Sequence, residues 1–70
     1  MADDFAPREA ILAVLSAGLA STAEIAEELG MPERSVRRNL RRLAREGYVF
    51  SPLRGWHRLT ALGQIAIESR

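Results

Sequence analysis

The sequence predicts a small α+β fold, mostly helical, in the order helix, short strand, helix, helix, hairpin, helix. Three observations predict it. Apolar residues return at helical spacing in four stretches, each opened or closed by proline, glycine, serine or threonine. Between residues 48 and 59 the pattern changes to β-branched and aromatic residues around a Pro/Gly turn. Charge is also divided along the chain. Eight of the ten arginines lie between Arg34 and Arg58, where Glu46 is the single acid, a segment charge of +7. Residues 1–33 hold Arg8 and seven acids, a segment charge of −6. The net charge of +1 conceals this dipole.

The first helix opens at Pro7, a residue whose fixed φ suits a first turn, and stops near Gly18. Its inner face is Ile11, Val14, Leu15 and Gly18, spaced i, i+3, i+4 and i+7. Leu19-Ala20 is long enough only for a bridge strand. Ser21 starts the second helix, and Ser21 with Glu24 has the S-x-x-E spacing of a capping box. Ile25, Ala26 and Leu29 form its apolar face, Glu24, Glu27 and Glu28 its exposed one, and Gly30 its end. Pro32 opens the third helix, 32–46, and Gly47 stops it. Tyr48-Val49-Phe50 and Trp56-His57-Arg58-Leu59 read as paired strands, with one alternating set of the first strand inward and the other outward. Ser51 to Gly55 reads as their turn, and Pro52 belongs there because it cannot donate to a ladder. Trp56 is expected to pack in the hairpin against the third helix, His57 and Leu53 to be exposed. Thr60 is an N-cap for the last helix, whose inner face is Leu62, Ile65 and Ala66. Leu12 and Ile67 fall off the inner faces, which makes them either contacts with a second copy or fillers at the core's edge.

The third helix carries the most chemistry. Val36, Leu40 and Leu43 form its buried stripe. With Val36 at zero and 100° per residue, Arg34, Arg38, Arg41 and Arg45 fall at about 160°, 200°, 140° and 180°, directly away from the core. Arg37 and Arg42 flank that stripe, and Ser35 and Asn39 lie on one shoulder. The eleven-residue span from Arg34 to Arg45 is about 16 Å of helix. A solvated face normally interleaves acids; here the only i,i+4 partners are at the ends, Glu33 and Glu46. A positive segment of this density suits a polyanion, of which nucleic acid is the most abundant.

Composition narrows the alternatives. Seventy residues make one domain, 1–70, with a flexible start over 1–6, and a chain this short buries about 60% of its unfolded surface. No cysteine is present, so disulfides and thiolate metal sites are excluded, and one histidine cannot build a zinc site alone. No cofactor or metal is expected, and no small-molecule pocket is evident. No apolar run approaches the roughly 20 residues of a membrane span, and the expected setting is the cytoplasm, at the nucleoid. The exclusive use of arginine over lysine is read as genomic base composition. No nucleophile–base constellation or phosphate-cradling glycine loop occurs, so the chain is not expected to be an enzyme.

Two helices joined by a glycine-containing turn, the second with a basic face, followed directly by a hairpin, resemble the winged helix-turn-helix superfamily of transcription regulators, in the style of its MarR-like and ArsR-like DNA-binding cores. The resemblance rests on Ser21 to Gly30, on Ser35-Val36-Arg37-Arg38-Asn39-Leu40 with Leu43, on Gly47-Tyr48-Val49, and on Trp56 to Thr60 with Leu62-Gly63. It covers about Pro7 to Glu68. The long helices that usually add a dimer interface or ligand pocket have no counterpart in it. The resemblance implies a sequence-specific regulator of double-stranded DNA, such as a repressor, with helix 32–46 in the major groove and wing 48–59 on the minor groove or backbone.

On that reading Arg34, Ser35, Arg38 and Asn39 are candidates for base edges, since residues near the helix N-terminus reach them. Arg37, Arg41, Arg42 and Arg45 are candidates for phosphates, which position the protein without reading sequence. Arg54 sits at the wing tip, and Arg58 on the returning strand is a further phosphate candidate. A single module buries roughly 600–1,000 Å² on DNA, so a homodimer on a palindrome is expected. Two other readings use the same residues. A winged helix can serve as a protein-docking module, with Glu24, Glu27 and Glu28 meeting a basic partner. A non-specific architectural binder would keep the arginines and lose sequence preference.

Overall fold

The computed structural model describes residues 7–69; the flexible start expected for residues 1–6 lies outside them. The elements are α1 (Pro7–Leu15), β1 (Ala20–Ser21), α2 (Thr22–Leu29), α3 (Glu33–Arg45), β2 (Val49–Leu53), β3 (Trp56–Leu59) and α4 (Ala61–Glu68). The strands form an antiparallel sheet in the order β1-β3-β2, so β3 is central and β2 is an edge. This is the winged helix-turn-helix arrangement expected from the sequence.

The local signals that build α2 act as their chemistry requires. Ser21 Oγ accepts from the Glu24 amide at 3.0 Å, and Glu24 Oε1 accepts from the Ser21 amide at 3.1 Å, so two end amides are satisfied reciprocally. Gly30 closes the helix at φ 66°, ψ 33°, the left-handed conformation that turns the chain sharply into α3. Pro32 and Glu46 cap α3 rather than belonging to it. The first helix ends earlier than Gly18 suggests, at Leu15, and Ser16 to Gly18 form a turn.

Ile11, Ile25, Val36 and Leu43 are completely buried, and Leu15, Leu40 and Val49 close around them. Each such side chain contributes about 1.5–3 kcal/mol of burial. One residue from each of α1 and α2 and two from α3 thus make the centre, and they hold the three helices together. Arg8 of α1 forms an ion pair with Glu46 at the end of α3 and lies over the Tyr48 ring, 5.6 Å from its centroid.

Several expectations are corrected. Leu12 is buried at 6% exposure in the core and is not free for a second copy, whereas Ile67 is half-buried at the core's edge. Of the inner face expected for α4, Ala66 is half-buried beside Ile67, but Leu62 and Ile65 are not part of it. Gly63 is the buried residue, while Leu62 and Ile65 are 50% and 57% exposed. A Cβ on Gly63 would stand 2.1 Å from the Tyr48 carbonyl oxygen, so this bare backbone is what lets α4 lie against the start of the hairpin. Thr60 fixes the approach: its Oγ1 donates to the Gly47 carbonyl at 2.5 Å and accepts from the Gly63 amide at 3.0 Å.

The first strand of the hairpin starts one residue later than expected, at Val49, and runs three residues further. β2 continues through Ser51, Pro52 and Leu53, which leaves Arg54-Gly55 as the turn. Phe50 pairs with Arg58 but Leu53 with Trp56, so β2 carries one residue more than β3 between the two pairs. That bulge, on an edge strand, accommodates a proline without an amide proton. Ser51 Oγ lies 2.7 Å from the carbonyls of both Leu53 and Trp56 and bridges the irregular register. Val49 is the inward residue and Phe50 the outward one. Trp56 is half-buried and stands outside the core cluster. Strand alternation puts it on the face of β3 that carries Arg58, opposite Leu59, rather than against α3.

Candidate nucleic-acid interface

The three buried residues of α3 fix which way its arginines point. With Val36, Leu40 and Leu43 inward, Arg34, Arg37, Arg38, Arg41, Arg42 and Arg45 are all exposed. Two ion pairs border this surface. Glu33 meets Arg37 at 3.5 Å, one turn away, with both side chains 54% exposed, a pair worth only a few tenths of a kcal/mol. Glu46, the one acid of the basic segment, is turned to Arg8 of α1. The outward stripe of Arg34, Arg38, Arg41 and Arg45 has no ion pair within the described residues.

The other candidates are placed unequally. Ser35 is half-buried, and its carbonyl accepts from Asn39 Nδ2 at 2.8 Å, so the Asn39 side chain is turned back along its own helix. Arg54 is exposed at the tip of the hairpin beside Gly55. Arg58 is exposed on β3 but borders a hollow shared with Leu15 to Gly18 and Gln64, not the α3 surface. The structure therefore brings six arginines together on α3, sets Arg54 at the end of the hairpin, and puts Arg58 elsewhere.

A groove of about 200 Å³ separates α3 from the hairpin. Arg37, Arg41 and Ala44 form one wall, and Phe50, Ser51 and His57 belong to the other. His57 is a residue that sequence reasoning placed on an exposed strand. It is half-buried, and its Nε2 lies 2.8 Å from Thr22 Oγ1. Burial lowers its pKa from the ordinary histidine value because the charged ring loses solvent. The carbonyl of Gly55 also accepts from the Thr22 amide at 3.1 Å, so Thr22 ties the hairpin to the start of α2 at two points. No periodicity of the sequence could show this, because Thr22 and His57 are 35 residues apart.

A wider open hollow, about 500 Å³, lies between the end of α1, β1 and α2; Val14 and Leu19 line it with Glu24, Glu27 and Glu28. None of the candidate arginines borders it, and nothing in the residue spacing announces it. No helix of the described residues is long and apolar enough to cross a membrane.

Comparison with known proteins concerns the arrangement as a whole. Residues 8–49 match the model of a family described as winged helix-turn-helix DNA-binding. No curated protein matches the sequence. Among solved structures, the reduced form of MarR from E. coli is 25% identical, with a TM-score of 0.86 over 91% of this chain and 48% of that one. A ZitR variant from Lactococcus lactis is 25% identical, with a TM-score of 0.83 over 90% of this chain and 47% of that one. Ligand-free NadR is 22% identical, with a TM-score of 0.83 over 91% and 49%, a likeness of fold alone. The chain spans about half the length of each of these structures.

Proposed function

The chain belongs to the winged helix-turn-helix DNA-binding family, and from that premise we propose that it is a sequence-specific regulator of transcription, a binding protein and not an enzyme. Residues 1–70 act as one domain that lays α3 in the major groove of double-stranded DNA and the β2–β3 hairpin on the minor groove or backbone. One observation carries this reading: four outward arginines along α3 with no acid among them. An α-helix fits the major groove, and a guanidinium is the side chain that grips guanine O6 and N7 as a fork.

Arg34, Ser35 and Arg38, near the N-terminus of α3, take base edges. Asn39 takes part only if its amide leaves the Ser35 carbonyl. Arg37, Arg41, Arg42, Arg45 and the hairpin-tip Arg54 take phosphates, with Arg58 a lesser contact from β3. The protein works in the cytoplasm, on the nucleoid, as a repressor that occupies an operator and blocks polymerase. A single module covers roughly 600–1,000 Å² of DNA, so two copies on a palindrome supply the specificity. Their apolar contact is not Leu12, which is core, but the exposed Leu62 and Ile65 of α4.

The test is a titration against random and genomic duplexes at several salt concentrations, with sequence selection of the bound pool. Five phosphate contacts are expected to give a log–log salt slope of about −4.5. The selected pool should converge on a palindrome. Salt-sensitive binding without a motif would replace regulation by an architectural role, and no binding at low salt would overturn the DNA reading.

A further inference from the structure

The groove between α3 and β2 joins features that the arginine stripe does not explain. With Val36 inward at zero, Leu40, Ala44, Arg37 and Arg41 lie at about 40°, 80°, 100° and 140° around α3. The groove thus opens beside the outward stripe, on the hairpin side of the helix. A DNA strand bordering a major groove filled by α3 would pass its mouth on the way to the hairpin. Its walls suit that strand. Arg37 and Arg41 offer guanidiniums, Phe50 and Ala44 an apolar surface for deoxyribose, and Ser51 and His57 polar groups.

We propose, resting on the DNA reading above, that this groove holds one backbone phosphodiester and that His57 is one of its ligands, so that DNA binding takes up a proton. His57 Nε2 is committed to Thr22 Oγ1 at 2.8 Å, and no described residue bonds Nδ1. A neutral ring has one N–H, which can face a phosphate from Nδ1 only while the Thr22 hydroxyl donates to Nε2. The imidazolium has two, one for Thr22 and one for a phosphate oxygen. Arg37 and Arg41 are the charged groups that line the groove from α3; α2 and β1 contribute Thr22 and Ala20 around His57, and neither titrates. In the free protein burial favours the neutral ring beside these two guanidiniums. A phosphate between them supplies the counter-charge that reverses the balance.

The signs in the free and bound states are opposite. A histidine whose pKa is lowered by folding supports the fold above its unfolded value and loses that support as pH falls through the folded one. DNA affinity instead rises as pH falls.

The experiment is fluorescence anisotropy of the full chain with a labelled mixed-sequence duplex, from pH 5.5 to 8 at constant ionic strength, for wild type and His57→Gln. Wild-type affinity should rise toward low pH, with a ceiling on the order of tenfold per unit by which the phosphate raises the ring's pKa. His57→Gln, which keeps a partner for Thr22, should lose that dependence. The His57 ring signal followed by NMR needs no variant and should titrate at higher pH in the complex than in the free protein. A pH dependence that persists in His57→Gln, or a ring midpoint unchanged by DNA, would overturn the proposal. A flat wild-type profile with DNA still bound would overturn it too, whereas binding at no pH would overturn the DNA reading beneath it.

Discussion

A missing methyl group at Gly63 decides where α4 can lie. The Tyr48 carbonyl that a Cβ would strike is already held by the Thr60 amide at 3.0 Å, so neither side can yield without breaking the corner between hairpin and helix. Gly63→Ala is expected to cost about 1–3 kcal/mol, the range for overpacking. Urea denaturation checks this, and unchanged stability would mean that α4 is free to slide. The requirement was invisible in the sequence, where a glycine inside a helical pattern reads as a weak position. Its partner is fifteen residues away. The Ser21–Glu24 capping box was legible for the opposite reason: both of its bonds close within one helical turn.

Periodicity served α3 well and α4 badly, and the difference is physical. The apolar residues of α3 form one narrow stripe, so its orientation has a single solution. The last helix is apolar nearly all round, and the close approach at Gly63 selects the buried face in place of hydrophobicity. For α3 the division of labour along the stripe gives a direct expectation. Arg38→Ala should cost about 1–3 kcal/mol on the selected site and relax specificity there. Arg45→Ala should weaken all duplexes alike and reduce the salt slope by about one unit. Equal effects of both on every duplex would refute the assignment. The hairpin shows a second limit. Its missing amide proton assigns Pro52 to the turn on sequence grounds, yet an edge strand with a bulge tolerates it equally well.

The molecule as a whole keeps the charge separation visible along the chain. Glu24, Glu27 and Glu28 border their own hollow, and Glu46 is drawn to Arg8, which leaves the basic surface of α3 opposed only by Glu33. Exposed Ile65 is 57% accessible on a face with no partner among the described residues, so Ile65→Ser is expected to lower the apparent mass in sedimentation equilibrium without loss of helix content. A wild type that stays monomeric at every concentration would remove the dimer from the proposal.

The order of the elements, the caps of α2, the buried stripe of α3 and the direction of its arginines are all legible along the chain. Each of these depends on contacts within a few residues, or on a period that repeats within one element. Tertiary structure alone decided that Gly63 and not Leu62 faces inward, that Leu12 is core, and that Pro52 belongs to a strand. It also set Arg58 away from the other arginines and placed His57 against Thr22 in a groove with Arg37 and Arg41. Those outcomes depend on which surfaces meet, and a pattern read along one helix or strand carries no information about the surface it will be pressed against.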